Sequence, residues 1–197
     1  MRIRKLILVF ISILALSFQA DDRFIYWDEN RPLKWSDFKG PYPKHSKITV
    51  AANTFSDFNH NAWKEKDHYL FRVRALFRTD GSYTIFNDGE DPYTLKHEQY
   101  HFNITEIYAR KMRKDITDSI HLLNKWDENK YINYFVIKYY WVKDKAQKKY
   151  DEETTIVNGI DTLKQKQWEE TIDVELTKLS AYKSAEIKVP FTSIKGK

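Results

Sequence analysis

From Pro92 to Asn124 the only proline is the first residue and there is no glycine, and Asp91-Pro92 supplies an N-cap carboxylate followed by a proline suited to the first helical position. The run predicts one long helix, or two joined helices, over residues 91–124, around which the rest of the chain must pack. Within it stands His97-Glu98-Gln99-Tyr100-His101, an H-E-x-x-H motif. Residues four apart lie about 40° apart around a helix, so both imidazoles can reach one ion from the same face. Glu98 falls beside them, where a carboxylate can take a proton from a bound water and pass it to a leaving amine. The motif face continues through Ile104, Tyr108 and Met112, which suits a helix buried against a domain. The chemistry predicted by this pattern is hydrolysis at a zinc ion.

Composition narrows the setting. A length of 197 residues suits one catalytic domain, with enough chain to bury a real core. The 13 tyrosines, 12 phenylalanines and 6 tryptophans, against 5 glycines and 5 prolines, argue for a packed body rather than a disordered or fibrous one. The net charge of +5 is spread among interleaved acidic and basic residues, so the clustered basic footprint of a nucleic-acid binder is missing. With no cysteine there is no lipobox, disulfide framework or thiol-ligated metal site, and any zinc must be held by His, Asp and Glu.

Residues 1–20 read as an export signal. Arg2, Arg4 and Lys5 form a basic start, and Leu6 to Leu16 form an apolar stretch too short for a comfortable membrane span. Ala15-Leu16-Ser17 offers one cleavage point and Ala20, before Asp21, the other. The expectation is a periplasmic or secreted bacterial protein with no stable membrane span once the signal is cleaved. Residues 21–197 then form a single domain.

Its first part, 21–46, reads as an irregular arm interrupted by Pro32, Gly40, Pro41 and Pro43 and pinned down by Trp27, Leu33, Trp35 and Phe38. Alternation at Ile48, Val50, Ala52 and Thr54, and again at Phe71, Val73, Ala75 and Phe77, predicts strands. Arg72, Arg74 and Arg78 fall on the opposite, solvated face of the second strand. Thr79-Asp80-Gly81-Ser82 reads as a hairpin turn joining that strand to one over 82–86, giving an antiparallel sheet ahead of the motif helix. Residues 129–147 suit a further helix, although YFVIKYYWV could also suit a strand. A last helix over 161–184 places Trp168, Ile172, Glu175, Leu179 and Tyr182 in one stripe.

A catalytic zinc needs a third protein ligand and an open position for water. Glu106 lies nine residues after His97, about 180° round the helix, so a surface pair with Arg110 is its expected role. His121 is in phase with the motif but about 30 Å along an unbroken helix from His101, and serves only if the chain turns back. Tyr150-Asp151-Glu152-Glu153-Thr154 places three carboxylates in five residues ahead of Asn158-Gly159. As an extended loop it would turn Asp151 and Glu153 to one side and Glu152 to the other. The alternative for this stretch is a solvated acidic loop with a helix cap.

The run Leu95 to Ile104 (LKHEQYHFNI), followed by Glu106 and Ala109-Arg110, resembles the DUF922 family of secreted zinc-dependent proteases, whose pattern is L-x-H-E-Q-G-H-F-D-I-x-E-x-x-A-R. Leu33 to Gly40 (LKWSDFKG) is similar to that family's L-x-W-x-D-F-x-G, and Tyr150-Asp151, Glu153-Thr154, Gln165 and Trp168 resemble its Y-D-x-E-T and Q-x-x-W segments. The resemblance implies an α+β, zincin-like domain: a small antiparallel sheet beside the long motif helix, closed by C-terminal helices. It implies zinc held by His97 and His101 with Asp151, or alternatively Glu153, as third ligand. Glu98 would be the general base, Tyr150 a donor to the carbonyl oxygen, and the substrate a peptide or protein, met along an edge strand. Two of the departures from the pattern bear on the site. Tyr100 replaces the motif glycine and adds bulk beside the metal. Asn158 stands where the family carries a histidine, although an asparagine can still donate to an oxyanion. Two other functions share these residues: a non-catalytic envelope protein that keeps the fold for binding, and a zinc amidase acting on cell-wall peptides.

Overall fold

The computed structural model describes residues 22–43, 50–157 and 159–194. The expected export segment, Ile48 and Asn158 lie outside the described residues. The architecture is mixed helix and antiparallel sheet, as expected from the sequence.

Strand β4, His68–Arg78, is the centre of the sheet. Phe71, Val73, Ala75 and Phe77 alternate inward along it and are buried, so its period-2 pattern reports its position correctly. On one edge it pairs antiparallel, residue for residue, with β3, Ser56–Lys64. Its other edge is shared by two short strands from opposite ends of the chain. One is β1, Phe24–Tyr26, which pairs with residues 76–78, and the other is β8, Glu186–Pro190, which pairs with residues 68–72. The arm is therefore not wholly irregular, since it supplies β1.

The expected hairpin does not form. After the turn at Thr79–Gly81 the chain enters β5, Tyr83–Thr84, which pairs with β2, Ala52–Asn53, instead of folding back on β4. The reason lies in the backbone partners. Lys39 N–H donates to Thr79 O, Gly40 N–H to Ser82 O at 2.7 Å, and Phe55 N–H to Ser82 Oγ, so the groups that would close a hairpin are bonded to other segments. A Cβ on Gly40 would stand 2.7 Å from Ser82 O, so only glycine lets the arm come this close. The expected strand across residues 48–54 contracts to Ala52–Asn53, with Val50 exposed.

Helix α1, Pro92–Asp118, begins as its sequence dictates, with Asp91 Oδ1 accepting from Thr94 N–H at 3.0 Å and Pro92 in the first turn. It ends in a 3-10 turn, Ile120–Asn124. Helix α2, Glu128–Thr154, is capped by Asp127, and helix α3, Thr162–Lys178, by Asp161. Between them Thr155–Ile156 (β6) and Gly159–Ile160 (β7) form a small ribbon, and a short helix α4, Phe191–Ile194, ends the described chain. Two corrections follow. The segment 129–147 is helical and runs on to Thr154, so residues 150–154 are the last turn of a helix and not a loop. The last helix stops at Lys178, with Tyr182 in a separate turn.

Helix α1 is buried on both sides. Phe102, Ala109, Met112 and Ile116 join the main core with β4, the arm residues Leu33, Trp35 and Phe38, and Tyr131, Ile132 and Phe135 of α2. Tyr100, Ile104 and Ile107 form a second cluster with Tyr150, Ile172 and Leu179 of α2, α3 and the segment after α3. Glu106 departs furthest from expectation here, because its pair with Arg110 is buried and not on the surface. Each side chain is only 4% exposed, and Arg113 joins them at 2.5 Å from Glu106 Oε1. Arg110 also donates to Leu176 O and Arg113 to Val73 O, so one carboxylate holds two arginines that bridge α1 to α3 and to the sheet. On the sheet, Arg72 pairs with Glu186, Arg74 donates to Asn59 and lies over the Tyr26 ring, and Arg78 pairs with Asp80.

Candidate metal centre

Helix α1 presents His97 and His101 one turn apart, and the last turn of α2 brings Asp151 to them. His101 Nε2 lies 2.8 Å from Asp151 Oδ1, His97 Nε2 lies 3.3 Å from the same oxygen, and the two Nε2 atoms are 3.1 Å apart. In a tetrahedral zinc site with bonds of about 2.0–2.1 Å, ligand atoms stand about 3.3–3.4 Å from one another. The observed triangle is close to one face of that tetrahedron. The donor set fits as well: two imidazoles and a carboxylate, with no sulfur.

Both imidazoles are held in the form a metal requires. His97 Nδ1 is 3.1 Å from Gln165 Oε1, and His101 Nδ1 is 2.5 Å from Gln147 Oε1. An amide oxygen only accepts, so each Nδ1 carries the proton and each Nε2 is left with a lone pair. Gln147 is fixed in turn by donating to His101 O and to Thr105 Oγ1. Tyr150 closes the inner wall. Its ring stacks on His97 at 4.6 Å and meets His101 edge-on, and its hydroxyl donates to Gln165 Oε1 at 2.7 Å.

With both Nε2 atoms unprotonated, three electron-rich atoms face one another at 2.8–3.3 Å, which requires a positive charge among them. When no ion supplies it, a proton does. Burial works against charge on His101, but Asp151, with Glu98 and Gln147 behind it, outweighs burial and raises the imidazole pKa. Burial likewise opposes ionisation of Asp151, yet the hydrogen bonds and charges of His101 and His97 hold its carboxyl well below the ordinary range. The histidines are buried and the Asp151 side chain is half-exposed, so solvent reaches the cluster on the Asp151 side.

Glu98 is buried beside the pair, and its Oε2 has no hydrogen-bond partner among the described residues. An acceptor kept from water and unpaired is costly unless something at the site uses it.

The other expected residues fall elsewhere. Glu153 is two residues from Asp151 on a helix, about 200° away, so it cannot share the ion. It accepts from Trp168 Nε1 at 2.9 Å and faces Lys149, and the extended-loop geometry that made it an alternative ligand does not occur. Tyr150 is fully buried and its hydroxyl proton is already given to Gln165, so it positions His97 and does not reach toward a carbonyl. Burial, reinforced by nearby carboxylates, pushes its phenol pKa far up. Tyr100 adds no bulk beside the His97–His101–Asp151 cluster: it points to α3, where it donates to Asp173 Oδ2 at 2.9 Å. His121 lies exposed in the turn after α1.

The place of Gln147 at the cluster, and what Thr154 does there, do not follow from the sequence. Once α2 is known to run to Thr154, the spacing Lys143, Tyr150 and Thr154 marks its buried face, with half-buried Gln147 on the same side. A cavity of about 360 Å³ is lined by Tyr26, Trp27, Arg74, Glu106 and Arg113 among others, and by none of the three candidate ligands.

Comparisons with family models, curated proteins and solved structures return no match for this chain. The likeness to DUF922 proteases accordingly rests on the motif residues alone.

Proposed function

We propose that this protein is an exported zinc-dependent metallopeptidase, with His97, His101 and Asp151 holding the metal and Glu98 as general base. The observation that carries the reading is the convergence of His97 Nε2, His101 Nε2 and Asp151 Oδ1 within 3.3 Å, next to a buried carboxylate with an unpartnered oxygen. Zinc, when bound, polarises a carbonyl and lowers the pKa of a coordinated water toward neutrality. The chain supplies the rest. Gln165 and Gln147 keep both Nε2 atoms free to coordinate, and Tyr150 and Thr154 exclude water from the inner side. Glu98 accepts a proton from the attacking water and delivers it to the departing amine. An amidase acting on cell-wall peptides uses the same atoms and differs only in its substrate.

The test is hydrolysis of a mixed peptide library by the zinc-loaded chain, beside Glu98→Gln. Cleavage abolished by Glu98→Gln with zinc still bound supports the assignment; cleavage that survives assigns the base elsewhere. A second reading, a non-catalytic envelope protein, is favoured by one feature. A proton on His101 satisfies the cluster without any ion, leaving a His101–Asp151 ion pair that needs no metal. Zinc bound without hydrolysis of any peptide or amide favours that reading.

A further inference from the structure

Gln165 has an amide with two unlike ends, and which end faces His97 decides what His97 can do. Its oxygen accepts from His97 Nδ1 at 3.1 Å and from the Tyr150 hydroxyl at 2.7 Å. If the amide were turned round, its NH2 would face His97 Nδ1 and force that nitrogen to accept. The proton would then sit on Nε2, where the ligand lone pair is needed. Nothing in His97, Tyr150 or the Gln165 backbone selects between these two arrangements, because a tyrosine hydroxyl and a neutral imidazole can each donate or accept.

The selecting group lies one turn further along α3. Gln165 Nε2 donates to Glu169 Oε1 at 3.1 Å, and Glu169 Oε2 pairs with Lys96 Nζ at 2.6 Å. Glu169 is only 9% exposed, and beside an ammonium it is an acceptor-only carboxylate. It can bond the NH2 end of Gln165 and not the oxygen end. Thr154 agrees with the same polarity: its hydroxyl proton goes to Tyr150 O at 2.6 Å, so it turns a lone pair toward His97 Nδ1 at 3.4 Å.

We infer that Glu169 is a positioning residue for the metal centre, orienting the Gln165 amide so that His97 keeps its proton on Nδ1 and offers Nε2 to the metal. Lys96 next to the motif and Glu169 on α3 thus set the hydrogen-bonding form of the His97 imidazole through the Gln165 amide. The inference rests on the metal-centre reading given above.

Three full-length forms test it: the native chain, Glu169→Gln, and the exchange Gln165→Glu with Glu169→Gln. An amide at position 169 can donate or accept and so loses the selection. The exchange restores it, because a carboxylate at position 165 can only accept from His97, while the amide at position 169 donates to that carboxylate. Two readouts apply. One is zinc affinity by chelator competition, and the other is the ring nitrogen shifts of His97 in metal-free protein, which distinguish the two tautomers. Glu169→Gln is expected to weaken zinc about 10–100-fold and to populate the Nε2–H tautomer, and the exchange is expected to restore both. Unchanged affinity and tautomer in Glu169→Gln overturn the inference, as does a loss of affinity that leaves the tautomer unmoved and is not restored by the exchange. If the native chain binds no zinc, the metal-centre reading fails by itself, and the His97 tautomer in the metal-free variants still decides the role of Glu169.

Discussion

His101 Nε2 stands 2.8 Å from Asp151 Oδ1, joining the middle of α1 to the last turn of α2. Without metal this contact is an ion pair, and its pH window follows from the two shifts. The His101 pKa is raised, so its contribution to stability is complete below the unfolded value of about 6.5 and is lost as pH rises through the folded value. The Asp151 pKa is depressed, so its contribution is complete above the unfolded value of about 3.9 and is lost as pH falls through the folded value. Metal-free protein is therefore expected to owe most to this pair between about pH 4 and 6.5. Thermal unfolding of native and Asp151→Asn protein across pH checks this: their difference should shrink on both sides of that window.

On the proposed metal-centre reading, zinc binding reverses the upper half of the dependence. The metal requires His101 unprotonated, so affinity should rise as pH passes upward through the raised His101 pKa and level off above it. Chelator competition from about pH 6 to 9 measures this, and a flat profile would show that His101 is not a ligand.

Glu98→Gln keeps size and shape while removing the charge. With Oε2 buried and unpaired, the substitution is expected to leave folding and zinc content intact while hydrolysis falls by roughly 10²–10⁴-fold. Steady-state kinetics alongside metal content separates loss of the base from loss of the metal.

Glu106→Ala should be strongly destabilising although it lies away from the proposed metal centre. It leaves Arg110 and Arg113 buried without their shared carboxylate, a loss on the order of 3–5 kcal/mol. Denaturant unfolding is the check. Material that remains folded should bind zinc as before, since Glu106 faces away from His97.

Gly40→Ala tests the arm. A methyl placed 2.7 Å from Ser82 O meets backbone, so the arm must move or the Gly40–Ser82 hydrogen bond must break, at a cost of about 1–3 kcal/mol. A drop in thermal midpoint with unchanged zinc affinity is expected.

The parts of the fold that were legible in the sequence are those whose signal is local. Asp91-Pro92 caps α1, and the alternation from Phe71 to Phe77 marks β4 because every second residue there is buried. Strand β3 was not legible: Ser-Asp-Phe-Asn-His-Asn-Ala-Trp-Lys is largely polar, and only its partner β4 makes it a strand. Strand β8 is specified in the same way by the free half of the β4 edge. The acidic run 151–153 signals ligand chemistry, but its geometry depends on how far α2 continues, and a helix separates Asp151 from Glu153 where an extended chain aligns them. Gln147 and Thr154 carry no distinctive chemistry of their own. Their part comes from standing on the buried face of α2 opposite His97 and His101, a relationship created by tertiary packing.

The most direct test of the proposed metal centre is zinc stoichiometry and affinity for the native chain beside His97→Ala and Asp151→Ala, with calorimetry confirming that each is folded. The expected result is one zinc per native chain and a loss of roughly 10²–10³-fold in affinity for each variant, since one ligand supplies a few kcal/mol of a total of about 10–16 kcal/mol. No bound zinc in the native chain, or zinc held equally well without His97 and without Asp151, would contradict the account.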